Sequence, residues 1–321
     1  MKILLIDLDS KIPNLALMKL ATFHKSLGDK VDLVRHNVSY YPKKIEKNIA
    51  IPNGYDCYYC SILFPKNKHL VLDERVVMGG SGYDLAVKLP DEIENLAPDY
   101  SIYADNNTSY GFLTRGCSRS CRFCLVPRKE GKIRRVNTID DIVKHKKVKF
   151  LDNNILIFPD HKALLRELVE KRIRCCFTQG LDIRCVDVEN SKLLAKLNYS
   201  GEYTFAFDSW RDLPKIKRGL KLLNWAEPWQ LRFFVYCNAN EPLPYVVKRV
   251  DFLKSNSCLP YLMRDVNCWD SPICEFYTDL AAYCNQPGIF KKNTFRDFLE
   301  KRHVRQDRIE FSWLLYCAGL S

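Results

Sequence analysis

Residues 114–124 read Thr-Arg-Gly-Cys-Ser-Arg-Ser-Cys-Arg-Phe-Cys, which places thiols at Cys117, Cys121 and Cys124 with gaps of three and then two residues. Three thiolates in one tight loop can each bind a different iron of a cubane cluster, leaving a fourth iron without a protein ligand. An electron-transfer cube ordinarily takes four cysteines. An open iron suits a cluster that must grip a small molecule, as an open position does in catalytic metal sites. Phe123 precedes the last cysteine, and Gly116 frees the backbone entering the loop. Zinc is the alternative reading, and it needs a fourth ligand. Cys57-x-x-Cys60 could supply partners, but its flanks are Tyr-rich and strand-like.

These residues resemble the cluster loop of the radical S-adenosylmethionine (SAM) superfamily, which has cysteines at the same gaps and an aromatic residue before the last. The run Tyr110–Thr114 leads in as a first barrel strand would. The resemblance implies a [4Fe-4S] cluster on Cys117, Cys121 and Cys124, with SAM bound at the open iron and Phe123 against its adenine. It also implies an electron donor such as flavodoxin or ferredoxin, cleavage of SAM to a 5′-deoxyadenosyl radical, and hydrogen abstraction from a substrate. The longer phrases at 114–134 (TRGCSRSCRFCLVPRKEGKIR), 150–154 (FLDNN) and 179–184 (QGLDIR) resemble a radical SAM group of bacteria and their viruses. That likeness implies the chemistry without naming a substrate.

The 321 residues suffice for two domains or one large barrel, and 47% hydrophobic content supports a core. No apolar stretch is long enough to span a bilayer, so no membrane partner is expected. Met1–Asp7 reads as a buried first strand with no cleavage site after it, so no signal peptide is expected. Fourteen cysteines then point to a reducing, cytoplasmic location.

Residues 1–105 read as a small parallel α/β, Rossmann-like unit. Strands are expected at Ile3–Asp7, Lys30–Arg35 and Tyr55–Cys60, a helix at Pro13–Leu27, a flexible Gly79–Gly82 turn, and a short acidic helix or loop from Leu89 to Pro98. This half resembles the cobalamin-binding-type domain of one radical SAM branch. The Asp-x-His-x-x-Gly signature of that domain is absent, His24 reads as a helix-surface residue, and cobalamin is left open. Residues 106–263 repeat strand and helix in six units, a partial (β/α)6 radical SAM barrel by resemblance. Its strands are expected at Gly111–Thr114, Val148–Leu151, Cys175–Thr178, Tyr203–Phe207, Leu231–Tyr236 and Leu259–Met263. Helices are expected between them, including Thr138–Lys146 and one starting at Asn190. Residues 264–321 form a C-terminal helical extension. Its Cys268, Cys274 and Cys284, with Cys258, form one conceivable auxiliary-cluster set, against the commoner reading of buried free thiols.

In parallel α/β barrels the chemistry lies at the C-terminal strand ends. There the chain carries Asp152, Asn153 and Asn154, whose oxygens can accept from the SAM ammonium. Arg184 is expected to fork onto the SAM carboxylate, and Asp208 to take a ribose hydroxyl or the amine. Gln179, Asp182 and Asn238 are candidate substrate contacts. Each of these is also readable as a loop residue closing a turn.

Residues 106–150 hold 12 Lys and Arg against 3 Asp and Glu, the remainder of the chain being nearly balanced. A solvated face, a dock for an acidic electron donor and a nucleic-acid surface all fit that excess. A nucleic-acid base, in tRNA or viral DNA, is the expected substrate. A small metabolite or peptide is the alternative, and a non-catalytic iron–sulfur or SAM-binding module is the second.

Overall fold

The computed structural model describes residues 1–36, 38 and 48–321. In chain order the elements begin β1 (Lys2–Asp7), α1 (Leu15–Ser26), β2 (Lys30–Arg35), β3 (Cys57–Ser61), β4 (Val76–Gly79), α2 (Asp91–Glu94) and β5 (Thr108–Gly111). There follow β6 (Thr114–Arg115), α3 (Val126–Glu130), β7 (Arg134–Arg135) and α4 (Ile139–Ile142). Strand and helix then alternate through β8 (Lys147–Phe150), α5 (His161–Glu170), β9 (Arg174–Phe177), α6 (Val188–Lys196), β10 (Tyr203–Ala206), α7 (Leu213–Leu222), β11 (Leu231–Cys237), α8 (Leu243–Ser255) and β12 (Leu259–Arg264). The chain ends in α9 (Cys274–Cys284), α10 (Pro287–Lys292), α11 (Phe295–Arg302) and α12 (Gln306–Leu320). It is mixed α/β and divides into two compact units, Met1–Gly111 with Asn137–Lys147 and Phe112–Val136 with Val148–Ser321.

The first unit carries a parallel sheet in the order β2-β1-β3-β4. Its central strand is apolar on both faces, as a covered parallel strand must be. Ile3 and Leu5 pack with Leu17, Leu20 and Ala21 of α1, while Leu4 and Ile6 pack with Tyr58, Cys60 and Ile62. Asn14 caps α1 by accepting from the Ala16 and Leu17 N–H groups. His24 is buried rather than on the helix surface. Its Nδ1 lies 2.8 Å from Asp29 and its Nε2 3.2 Å from the Tyr59 hydroxyl, so both ring nitrogens are used within the unit. The glycine-rich turn is closely packed. A Cβ on Gly80 would lie 2.4 Å from Ile62 O, and one on Gly82 2.5 Å from Phe64 N. The helix expected over Thr138–Lys146 stops at Ile142. Thr138 and Asp141 do form its capping box, but the Ser109 hydroxyl accepts from the N–H groups of Lys144 and His145, at 2.8 and 2.9 Å, and so ends the helical ladder.

In the second unit β10, β11 and β12 are parallel. Parallel bridges Cys175↔Tyr199 and Leu181↔Phe205 join the β9 region to that of β10. Phe150, Phe177, Phe205 and Phe233 from four successive strands are fully buried. The first expected barrel strand, Gly111–Thr114, is not one strand. β5 ends at Gly111, and Thr114–Arg115 pair instead with Arg134–Arg135 in a short antiparallel ladder. Asn190 is not the start of α6 but the partner of its cap, since Asp187 accepts from the Asn190 N–H. The tail helices belong to this unit. Buried Asp279 of α9 pairs with His303 and Arg308 and accepts from Ser312, which ties α9 to α12.

Candidate functional site

The cysteine loop is closed at its base by the β6/β7 ladder. The Val136 N–H extends that ladder to Leu113 O at 3.0 Å, and the Cys117 N–H donates to Gly131 O at 3.1 Å. Gly116 has φ +85°, and a Cβ there would lie 2.3 Å from Lys132 O, so only glycine fits the entry. Within the loop the Arg119 N–H points at Cys117 Sγ at 3.4 Å. All fourteen cysteines are free thiols, and Cys117, Cys121 and Cys124 are half-buried.

Residues at the ends of β8, β9 and β11 hold this loop, and Asp208 after β10 acts on it electrostatically. After β8, the buried Asp152 carboxylate accepts from the N–H groups of Leu113 (3.1 Å) and Thr114 (2.6 Å) and from the Thr114 hydroxyl (2.7 Å). Burial pushes its pKa up to about 6 in spite of those donors. Asn153 donates to Glu130, which also accepts from Gly116 N–H and Arg115. After β9, Asp182 accepts from Arg119 at 2.9 Å and from Arg184 at 2.7 and 2.9 Å. After β10, Asp208 is the first charged neighbour that Cys121 senses. Burial raises the Cys121 pKa, Asp208, Cys124 and Cys117 add to it, and Arg184 opposes. Burial likewise pushes Asp208 up to about 6. From β11, Tyr236 stacks on Phe123 with ring centroids 3.9 Å apart and planes 17° apart.

Several of the expected ligand-contacting side chains are engaged within the chain. Asp152 faces the loop backbone, and its oxygens are occupied by the start of that loop. Arg184 forks onto Asp182 and gives its third nitrogen to Asp212 at 3.0 Å. Asp182, buried between two arginines, is a tether. Asn238 spends its amide on Tyr236 Oη, Asn267 and the Asn240 N–H. Phe123, 38% exposed, keeps one face against Tyr236. Gln179 is exposed. Cys274 and Cys284 cap opposite ends of the 11-residue α9, about 15 Å apart at 1.5 Å per residue, so the four tail cysteines do not converge.

Three residues of the site were not singled out by the sequence. Glu130 is the one acid among the cations of residues 112–136, and that isolation was the available signal. Tyr236 had none. Neither did fully buried Arg249 of α8, which donates to Asp208 O, Tyr236 O and Glu241 and so joins the ends of β10 and β11.

Two features bear on whether the residues fit a cluster and SAM. Among the described residues no three His, Cys, Asp or Glu side chains converge on a single ion. A cubane asks for a wider set, one thiolate per iron, and Cys117, Cys121 and Cys124 are three half-buried free thiols on one closed loop. Asn154 Oδ1 is buried with no hydrogen-bond partner, and Asp208 has one oxygen on the Tyr236 N–H while the other makes no hydrogen bond among the described residues. An unpaired buried acceptor is costly without a donor, and an ammonium is a donor. No protein-family model matches the chain, and no curated protein matches it.

Proposed function

We propose that the chain is a radical SAM enzyme whose second unit is a partial barrel open at the mouth where the cysteine loop lies. The observation that carries this reading is the loop itself, three free cysteines on a loop secured by Asp152 after β8, Asp182 after β9 and Tyr236 of β11. Cys117, Cys121 and Cys124 would hold the cluster. Bound there, the cluster and SAM supply a one-electron cleavage that makes a 5′-deoxyadenosyl radical able to take hydrogen from a substrate. The protein's own part is positional. Asp152, Glu130 and Asp182 hold the loop in place from both sides. Asn154 Oδ1 and the open oxygen of Asp208 accept from the SAM ammonium or ribose. Phe123, backed by Tyr236, gives the adenine a rigid flank. Among the described residues no helix is long and apolar enough to cross a membrane. A flavodoxin or ferredoxin is the proposed electron donor, and a nucleic-acid base the proposed substrate.

Anaerobic reconstitution tests the reading. Wild-type protein should carry about four irons per chain, and after reduction it should slowly convert SAM to 5′-deoxyadenosine and methionine. Replacing Cys117, Cys121 or Cys124 by Ala should abolish both, while Cys57→Ala and Cys60→Ala should change neither. Wild-type iron content in the loop variants would sink the assignment. Asn154→Ala should weaken SAM binding about ten-fold, because a hydrogen bond to a charged group is lost.

A further inference from the structure

Two series of interactions run outward from the cysteine loop. The first goes from Arg119 to Asp182 at 2.9 Å, to Arg184 at 2.7 Å, and on to Asp212, the cap of α7, at 3.0 Å. Arg218 of α7 also donates to Arg184 O at 2.8 Å. Gly219 lets α7 lie directly on the turn Ile183–Cys185, since a Cβ there would sit 2.3 Å from Ile183 Cγ1. The exposed surface of α7 is cationic, with Lys215, Lys217, Arg218 and Lys221 exposed and Arg211 just before them. Lys217 and Lys221 stand four apart, and Lys215, Arg218 and Lys221 three apart, spacings at which like charges destabilise a helix. The nearby acid, Asp212, is committed to Arg184 and is only 4.0 Å from Lys215. An anionic ligand would relieve that repulsion.

The second series goes from Phe123 through its stack on Tyr236 to Asp265, which accepts from the Tyr236 hydroxyl. Asp265 caps the turn Val266–Cys268, and the turn ends at Trp269. Trp269 is 46% exposed, with the Arg264 guanidinium 3.9 Å from its ring centre. The loop itself adds exposed Arg122, Arg128, Lys132 and Arg134.

We propose that these surfaces bind single-stranded nucleic acid, the sugar–phosphate backbone on the α7 face and a base on Trp269, so that a neighbouring base reaches the cysteine loop. The inference rests on the reading of that loop as a radical SAM site. A cation track beside an exposed aromatic platform is what single strands require. An acidic electron donor would use the cations but has no need of the indole.

Binding of a labelled short RNA or DNA strand to the reconstituted full-length protein, followed by anisotropy across a salt series, tests this. For the triple variant Lys215→Gln/Lys217→Gln/Lys221→Gln, the log–log salt slope should flatten by about 2, near 0.7 for each phosphate no longer neutralised. Trp269→Ala should bind about ten-fold more weakly at an unchanged slope. Both should retain iron and substrate-free SAM cleavage. Wild-type protein that shows no salt-dependent strand binding overturns the proposal, as do variants that keep both slope and affinity. A triple variant that binds strands normally but loses flavodoxin-driven cleavage also overturns it and makes α7 a donor dock. Iron content and SAM cleavage report on the site separately, so a protein that binds strands but no cluster would refute the enzyme reading alone.

Discussion

At the residue scale the recurrent device is a buried acid that holds the cysteine loop. Asp152 looked like a ligand acceptor because it follows a strand in the right place. In the fold the nearest donors are the backbone of Leu113 and Thr114, and they take it. Its raised pKa has a consequence for stability. Unfolded, the carboxyl titrates near 3.8, and folded near 6. Between those values the native chain keeps a proton that the unfolded chain has released, so this residue's contribution to stability falls as pH rises through the window. Asp152→Asn cannot titrate. Urea unfolding of both proteins should show the wild-type losing ~3 kcal/mol relative to the variant between pH about 4 and about 6. A difference that does not change with pH would count against a buried, ionisable Asp152. The same proximity pairs Asp182 with Arg184, each with a charge that also suits a ligand.

At the element scale the helix that matters most is α7. Gly219 sits in its interior, where glycine costs about 1 kcal/mol relative to alanine. The cost is explained by Ile183, against which any Cβ would collide. Gly219→Ala should therefore lower the urea midpoint, the overpacking cost of ~1–3 kcal/mol exceeding the gain in propensity. Gly288 of α10 has open space around its Cβ position. Gly288→Ala should be neutral or stabilising by up to ~1 kcal/mol. Equal effects of the two substitutions would mean that α7 does not approach the 183–185 loop so closely. The strands and helices after residue 147 were legible because apolar runs and amphipathic segments alternate there with caps between them. The failures were local. Thr138–Lys146 has a helical start and helical composition, and only the Ser109 hydroxyl, distant in sequence, ends it early.

At the scale of the whole molecule the chain does not divide where its composition changes. Residues 137–147 return to the first unit, where Ile139 and Ile142 are buried and a Cβ on Gly111 would collide with Ile142. A fragment 1–147 should melt cooperatively by circular dichroism. A fragment 1–105, which lacks β5 and α4, should melt at a lower temperature and bind a hydrophobic dye. Indistinguishable melts would show that the first unit is complete by residue 105. The same division breaks up the basic segment. Lys144, Lys146 and Lys147 go with the first unit, Arg115 and Arg119 are consumed by Glu130 and Asp182, and a second basic face appears on α7.

Three things are readable along the chain: the alternation of strand and helix, the central parallel strand of the first unit, and the loop in which three thiols are grouped. Each is a local property, written in periodicity, in caps and in spacing along ten or so residues. Which polar groups remain open is settled by packing in three dimensions. Asp152 takes the loop backbone, Asp182 and Arg184 take each other, Asn238 takes Tyr236 and Asn267, and Asn154 Oδ1 is left unpaired. The physical reason is that a buried polar group takes the nearest partner in space, and nearness between residues 114 and 152, or 119 and 182, is created by strand pairing rather than by sequence distance.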